Sequence, residues 1–207
     1  MDKYSHILEK INALKEKYPS LRTKPDYYGF SALCVEAHFY KNPENVLNEN
    51  DFDDIIVDGC GDGGADIILS DPDSENCDLV IGQSKFYKKI SKDDVINSLL
   101  KMTSFYNEMK AGHYEQVNSR VQSRFLTLNA ETGEESKIHF VFYSSANSPK
   151  NFDAENIKKQ ILEVNNVKSI DKLDISLNKE DLSVNVAAII RTQFGNIELS
   201  ETFTGNT

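Results

Sequence analysis

The order of apolar and polar positions predicts several helices. Apolar residues recur at helical spacing over residues 3–17, which predicts an amphipathic helix. A second helix is predicted over residues 30–40, with Ser31 as its N-cap. A longer helix is predicted to begin at Ser91 or Asp93, because a wide apolar face follows those residues.

Short aliphatic runs predict strands between these helices. Residues 54–58, 66–69 and 79–86 are strand-like, and residues 71–76 form a turn by composition. The nearly continuous apolar run over residues 137–145 is typical of a strand that is buried on both faces of a sheet.

The C-terminal part carries weaker signals. A helix is predicted over residues 154–164 and an edge strand over residues 170–176, whereas the tail from Leu182 fits either a strand or a helix that needs a partner. From the second helix onward, the order is helix, three strands, helix, strand, helix, strand. This order predicts an α/β sandwich around a mixed sheet.

Length, charge and cysteine content narrow the class of protein. A chain of 207 residues predicts one domain with a sizeable core. The net charge of −10 argues against a general nucleic-acid coat protein, so a nucleic-acid function would need a local basic surface. No apolar run reaches the length of a membrane span. The three cysteines form no CxxC pair, which favours a reducing cytoplasm without disulfides.

A glycine-rich corner joins two of the predicted strands. Four of the ten glycines lie within residues 59–64, in the stretch DGCGDGGAD, and Asp66 follows them at the start of the next strand. Glycine before Asp66 would let a phosphate backbone approach closely. Asp62 has an ordinary interpretation as a turn former that binds backbone amides, and we prefer that interpretation to a metal role.

The next strand brings two more polar groups toward Asp66. Gln83 and Lys85 share one face of their strand, since side chains alternate. If the strands on either side of the turn at residues 71–76 pair as a hairpin, Asp66 lies near Gln83 and Lys85. A carboxylate and a carbonyl oxygen suit Mg²⁺, and a neighbouring lysine can orient a water or stabilise charge on a phosphate.

Glu36 is the remaining candidate. It is the single acid in the apolar stretch ALCVEAHFY, where a carboxylate is costly unless it is paired or bound to metal. We predict that Glu36 points toward Asp66 as a second carboxylate of the site. A position on the solvent-facing side of its helix is an equally open alternative.

Other phosphate and metal motifs fit less well. The corner is followed by Ala65-Asp66 instead of Lys-Ser/Thr, so it is not a P-loop. Asp58, Asp62 and Asp66 are four residues apart, which is too wide for a calcium loop.

The pattern DGxGDGGxD followed by QSK, with an acid on the preceding helix, resembles the PD-(D/E)xK nuclease superfamily. Its Mrr-type restriction endonucleases are similar, and so, above all, is the N-terminal region of AIPR-type abortive-infection proteins. Those proteins look like this chain in the DGGxD corner and in a strand ending QSKxY. The motifs cover residues 36–87, about a quarter of the chain.

The resemblance implies a restriction-endonuclease-like sandwich with the core order αβββαβ. The core would span about residues 28–145, after a helical extension over residues 1–27 and before a C-terminal α/β extension over residues 146–207. AIPR-type proteins are longer than this chain, so the chain is expected to be a fragment with further domains missing or a short relative.

The resemblance also assigns roles to single residues. Asp66 becomes the metal-binding aspartate, Lys85 the catalytic lysine, and Glu36 the acid on the first core helix. Gln83 stands where many relatives have Glu or Asp, so the metal would be held with one charge fewer. The expected cofactor is Mg²⁺ or Mn²⁺.

Two classes of function follow. The first is a metal-dependent nuclease that hydrolyses DNA phosphodiesters in phage defence, with RNA and a homodimer left open. Lys88, Lys89 and Lys92 could contact phosphates beside its site, although a solvated strand end explains them equally well. The second is a nuclease-like fold that serves as a non-catalytic binding or dimerisation module.

Overall fold

The protein has a mixed α/β architecture, as the sequence predicts. The computed structural model describes residues 3–39, 46–146 and 173–176. The predicted helix over residues 154–164 and the tail from Leu182 lie outside the described residues. The α-helices are α1 (Lys3–Lys17), α2 (Asp26–Phe39), α3 (Asp51–Ile55), α4 (Lys92–Ala111) and α5 (Ser119–Glu131), with 3-10 turns at Pro19–Leu21 and Tyr114–Gln116. The strands are β1 (Ile67–Ser70), β2 (Leu79–Lys85), β3 (Ile138–Ser144) and β4 (Leu173–Ser176).

The strands form one four-stranded sheet in the order β1-β2-β3-β4. β1 and β2 are antiparallel, and Ile67 pairs with Gly82. β3 runs parallel to both β2 and β4. The predicted hairpin across the turn at residues 71–76 is therefore confirmed, and β4 is the outermost strand on its side of the sheet among the described residues. The β3 residues are buried almost throughout, as expected for a central strand covered on both sides.

Two helices cover opposite faces of the sheet. Ser31 Oγ on α2 lies 2.6 Å from Ser84 Oγ on β2, so that face of β2 looks toward α2. The ring of Tyr106 on α4 packs edge-on against Phe140, with centroids 5.9 Å apart. Phe140 pairs with Ile81 on β2. Because side chains alternate along a strand, Ile81 and Ser84 occupy opposite faces, and the sheet is enclosed between α2 and α4.

The predicted strand over residues 54–58 is wrong. Residues 54 and 55 of this span belong to α3. Ile56 pairs with β1 through a single bridge to Ile67. Asp51, Asp53 and Asp54 lie in the first turn of α3, where carboxylates stabilise a helix N-terminus. The three predicted strands are thus two strands and a bridge.

The start of the second helix was also predicted wrongly. α2 begins at Asp26, directly after Pro25, so Ser31 lies inside the helix and is not its N-cap. The Ser31 hydroxyl donates to the carbonyl of Tyr27, one turn earlier. By contrast, the start of α4 is confirmed: Ser91 is its N-cap and forms a reciprocal capping box with Asp94.

Helix α5 has no counterpart among the elements predicted from the sequence. Its buried residues Val121, Phe125 and Leu128 recur at helical spacing, and Asn118 caps its N-terminus by accepting from the Val121 amide at 3.0 Å. The ring of Phe125 packs edge-on against Phe105 of α4 at 5.7 Å. α5 therefore joins α4 on the same side of the sheet.

None of the helices within the described residues combines the length and the apolar composition that a membrane span requires.

Candidate metal centre

The glycine-rich corner folds the chain back so that three aspartates meet. Gly59, Gly61, Gly63 and Gly64 all have positive φ, between 68° and 150°. Carboxylate oxygens of Asp58, Asp62 and Asp66 lie within 4.8 Å of one another. No other cluster of three or more potential metal ligands is present in the described part of the chain. Such a group of carboxylates matches the oxygen ligands of a hard divalent cation.

Asp62 combines the predicted turn role with a place in this group. Its carboxylate accepts from the amides of Gly59 at 3.2 Å and Gly64 at 2.7 Å, so it closes the corner as an ordinary turn former. The sequence favours the turn role over a metal role. The two roles are compatible, because a carboxylate has four lone-pair sites and these two amides occupy only two.

Asp58 is brought to the site by the β-bridge between Ile56 and Ile67. The Val57 amide donates to the carbonyl of Asp66 at 2.9 Å, which places Asp58 beside the start of β1. Burial, followed by the charge of Asp62, raises the pKa of Asp58 above its usual range, while Lys85 opposes the shift. The sequence pattern does not single out Asp58 as a metal ligand, because its spacing from Asp62 and Asp66 is too wide for a calcium loop. The sequence signal for Asp58 is its position directly before the glycine-rich stretch at residues 59–64.

Asp66 is the most deeply buried of the three acids, with only 5% of its surface exposed. Its Oδ2 accepts from the Ser84 amide at 2.7 Å. Burial raises the pKa of Asp66 to about 7; the Ser84 amide and Lys85 lower it, and the charges of Asp58 and Asp62 raise it further. A divalent cation would relieve this unfavourable concentration of negative charge.

Gln83 lies next to this group and has an unsatisfied oxygen. It follows Gly82, whose carbonyl accepts from the Asp66 amide at 2.8 Å, and it is 5% exposed. Its Oε1 is buried and has no hydrogen-bond partner. A buried carbonyl oxygen without a partner costs about 1–3 kcal/mol, which a bound cation or its water could offset.

Lys85 ends β2 and lies within electrostatic reach of the acids. Its positive charge lowers the pKa of both Asp66 and Asp58, against the larger opposite effect of burial. The amide of Ser145 donates to the Lys85 carbonyl at 3.2 Å and fixes the strand end. Because it alternates with Ser84, Lys85 lies on the α4 face together with Gln83.

Glu36 does not belong to the group of three aspartates. Its Oε1 lies 2.6 Å from Lys17 Nζ on α1, and 17% of its side chain is exposed. The structure therefore pairs Glu36 with Lys17, and Glu36 is not among the three acids whose oxygens lie within 4.8 Å of one another. α1 packs directly on α2, which explains why a helix pattern alone could not assign the partner. A metal-ligand role for Glu36 stays a prediction.

The three lysines near the site differ in their surroundings. Lys88 and Lys89 are exposed, whereas Lys92 begins α4 and is half-buried. Lys88 Nζ lies over the ring of Tyr4, 5.1 Å from its centroid. Tyr4 in turn stacks on Phe86 at 4.6 Å, so α1 packs against the segment that follows Lys85. The proposed phosphate contacts of these lysines stay predictions.

We expect Gly63→Ala to lower the free energy of unfolding by about 2–4 kcal/mol, which combines left-handed strain with overpacking. Gly63 has a φ of 68°, and an added Cβ would lie 2.6 Å from the Phe105 ring and 3.2 Å from Val117. Urea denaturation would measure the change. Gly133→Ala is the matched control, because nothing lies within 4 Å of that Cβ. Equal stability of the two variants would show that the corner is not held against α4.

Comparison of this chain with protein-family models, with curated proteins and with solved structures finds no match.

Proposed function

We propose that the protein is a metal-dependent nuclease that hydrolyses phosphodiester bonds of DNA. The observation that carries the proposal is the convergence of Asp58, Asp62 and Asp66 within 4.8 Å, with Lys85 in electrostatic reach. The resemblance to PD-(D/E)xK nucleases adds the restriction-endonuclease-like form of the sandwich and a role in phage defence to the same proposal.

The donor set fits Mg²⁺ or Mn²⁺ better than a softer metal. The three aspartates supply carboxylate oxygens, and Gln83 supplies a buried carbonyl oxygen that has no other partner. Mg²⁺ takes few protein ligands and keeps several waters for the substrate phosphate. Cys34 is buried and Cys60 is exposed, and neither belongs to the group of acids.

Each of the chain's own groups has a distinct task in this proposal. Asp66 is held by the Ser84 amide in one orientation, so it can serve as a fixed ligand. The cation would polarise the phosphate and lower the pKa of a bound water. The Lys85 ammonium would orient that water or stabilise the charge that develops on the phosphate. The exposed Lys89 would contact the phosphate backbone without taking part in the reaction.

Incubation of the full chain with supercoiled plasmid and Mg²⁺ or Mn²⁺ tests the proposal. We expect nicked or linear DNA with either metal, and intact DNA when EDTA is present. Protein carrying Asp66→Asn, purified in parallel, should leave the plasmid intact and so control for contaminating nucleases. If wild-type protein leaves the plasmid intact with both metals, the proposal is wrong and the non-catalytic binding module becomes the better interpretation.

A further inference from the structure

The N-terminal turns of α5 hold the backbone of the segment that carries the acids. The Asn118 amide donates to the Gly61 carbonyl at 2.9 Å, and Asn118 Nδ2 donates to the Cys60 carbonyl at 3.1 Å. Arg120 donates to two more carbonyls, those of Asp53 and Ile56. These contacts flank Asp58 on both sides along the chain.

We propose that Asn118 and Arg120 are positioning residues of the metal centre, which hold the corner so that the three carboxylates meet around one cation. This inference rests on the proposed function, since it assumes that the acids bind a divalent metal.

The corner needs an external support. Four glycines with positive φ give its backbone unusual freedom, and three carboxylates in close contact repel one another when no cation is bound. The corner's own hydrogen bonds run mostly through Asp62. Bonds from α5 to Cys60 and Gly61 tie this loop to a helix that is anchored in the core by Val121 and Phe125.

Arg120 supports the other end of the segment. The carbonyls of Asp53 and Ile56 lie at the C-terminal end of α3, where backbone acceptors lack helical partners. Both bonds come from one nitrogen, Nη2, whose two hydrogens can each be donated to one carbonyl. Ile56 also makes the single bridge to Ile67, so Arg120 fixes the chain two residues before Asp58.

Loss of this positioning should lower the affinity of the protein for a divalent metal. Partners behind the ligands of a metal site typically contribute 10–100-fold to its affinity, because they fix the ligands before the metal arrives. A role limited to general stability would lower the melting temperature but leave the affinity of the folded protein unchanged.

Two variants separate positioning from other roles. Asn118→Ser keeps an N-cap oxygen for the Val121 amide but removes the amide donor to Cys60. Arg120→Lys keeps the positive charge, but its side chain ends one bond earlier and lacks the Nη2 that donates to both carbonyls. Arg124→Lys is the matched control: Arg124 lies on the same helix and donates to the Ile68 carbonyl of β1 at 3.1 Å, away from the corner.

The experiment is Mn²⁺ binding by the full chain, followed by calorimetry or by the spin-resonance signal of free Mn²⁺, below each variant's melting temperature. We expect Asn118→Ser and Arg120→Lys each to raise the Kd for Mn²⁺ by about 10-fold, and Arg124→Lys to change it by less than about twofold. If one of the two variants does not fold, the other still decides the test.

The outcomes distinguish the two proposals. Wild-type protein that binds Mn²⁺, with both folded variants binding it equally tightly, would overturn the positioning role and leave the proposed function intact. An equal loss of affinity in Arg124→Lys would also overturn it, since the effect would then be general. Wild-type protein that binds no Mn²⁺ would overturn both.

Discussion

Lys85→Ala should slow single-turnover cleavage of DNA by about 10²–10³-fold while leaving DNA affinity within about twofold of wild type. The reason is that the proposed contact of Lys85 is made mainly in the transition state, where charge develops on the phosphate or the attacking water. Lys85 lies within electrostatic reach of Asp58 and Asp66, and its strand end is fixed by Ser145. Quenched-flow or gel assays with protein in excess would measure the rate, and filter binding in Ca²⁺ the affinity.

Lys89→Ala is the charge-matched control for this result. Lys89 is exposed, lies four residues beyond Lys85, and also loses one positive charge. We expect weaker DNA binding, a shallower dependence of binding on salt, and nearly normal single-turnover cleavage. Lys88 is a less suitable control because its ammonium lies over the Tyr4 ring. If Lys85→Ala cleaves as fast as wild type, the activity comes from another site.

Asp66→Asn should weaken metal binding but stabilise the fold when no metal is present. It should remove most Mn²⁺ affinity, more than the 10–100-fold that typically follows loss of a supporting residue, because a ligand itself is neutralised. In the absence of metal it should stabilise the fold at neutral and higher pH, because an ionised carboxylate then no longer has to be buried beside two others. The side-chain oxygen of the introduced asparagine would still accept from the Ser84 amide.

The dependence of the free energy of unfolding on pH has a defined sign. Burial raises the pKa of Asp66 to about 7, whereas the unfolded chain has the ordinary value of about 3.9. Between these values the folded wild-type protein holds a proton that the unfolded chain has lost. The stabilisation from that proton is complete below about pH 4 and is lost as the pH rises through about 7. The stability of Asp66→Asn relative to wild type should therefore increase across this window, by at most about 4 kcal/mol.

Thermal or urea denaturation between pH 4 and 8, in EDTA, would measure this difference. Asp53→Asn is the control: the pKa of Asp53 is lowered, so the stability of this variant relative to wild type should stay nearly constant above about pH 5. A hydrogen bond from Lys24, then one from the Tyr28 hydroxyl, lowers the pKa of Asp53, so its stabilisation is present at neutral pH and lost as the pH falls through that lowered value. A parallel pH dependence of the two variants would contradict the assignment of Asp66 as the buried, raised-pKa acid.

The hairpin was predictable because its signals are local. The turn composition at residues 71–76, the aliphatic runs on both sides and the period-two alternation all lie within twenty residues of one another. They place Asp66 beside the strand that carries Gln83 and Lys85, and the pairing of Ile67 with Gly82 confirms that arrangement. Side-chain alternation follows from strand geometry and needs no tertiary information.

The membership of the acidic group was not predictable in the same way. In the sequence, Asp62 lies four positions after Asp58, and Asp66 lies four positions after Asp62. This spacing argues against a known metal-binding loop. Four positive-φ glycines reverse the chain between them, and no rule of spacing describes such a path. The apolar surroundings of Glu36 predict that it needs a partner, but they do not identify Lys17 of α1, with which it forms an ion pair.

Local sequence pattern was enough to predict the α/β class, the β1–β2 hairpin, the capped start of α4 and the position of Asp66 beside the strand that carries Gln83. These features depend on contacts between chain neighbours or across one short turn. Local pattern did not predict that α3 replaces a strand or that α5 contacts the corner and its flanking segment through Asn118 and Arg120. The physical reason is that those bonds run from side chains to backbone carbonyls some sixty residues away, and every residue type offers the same carbonyl.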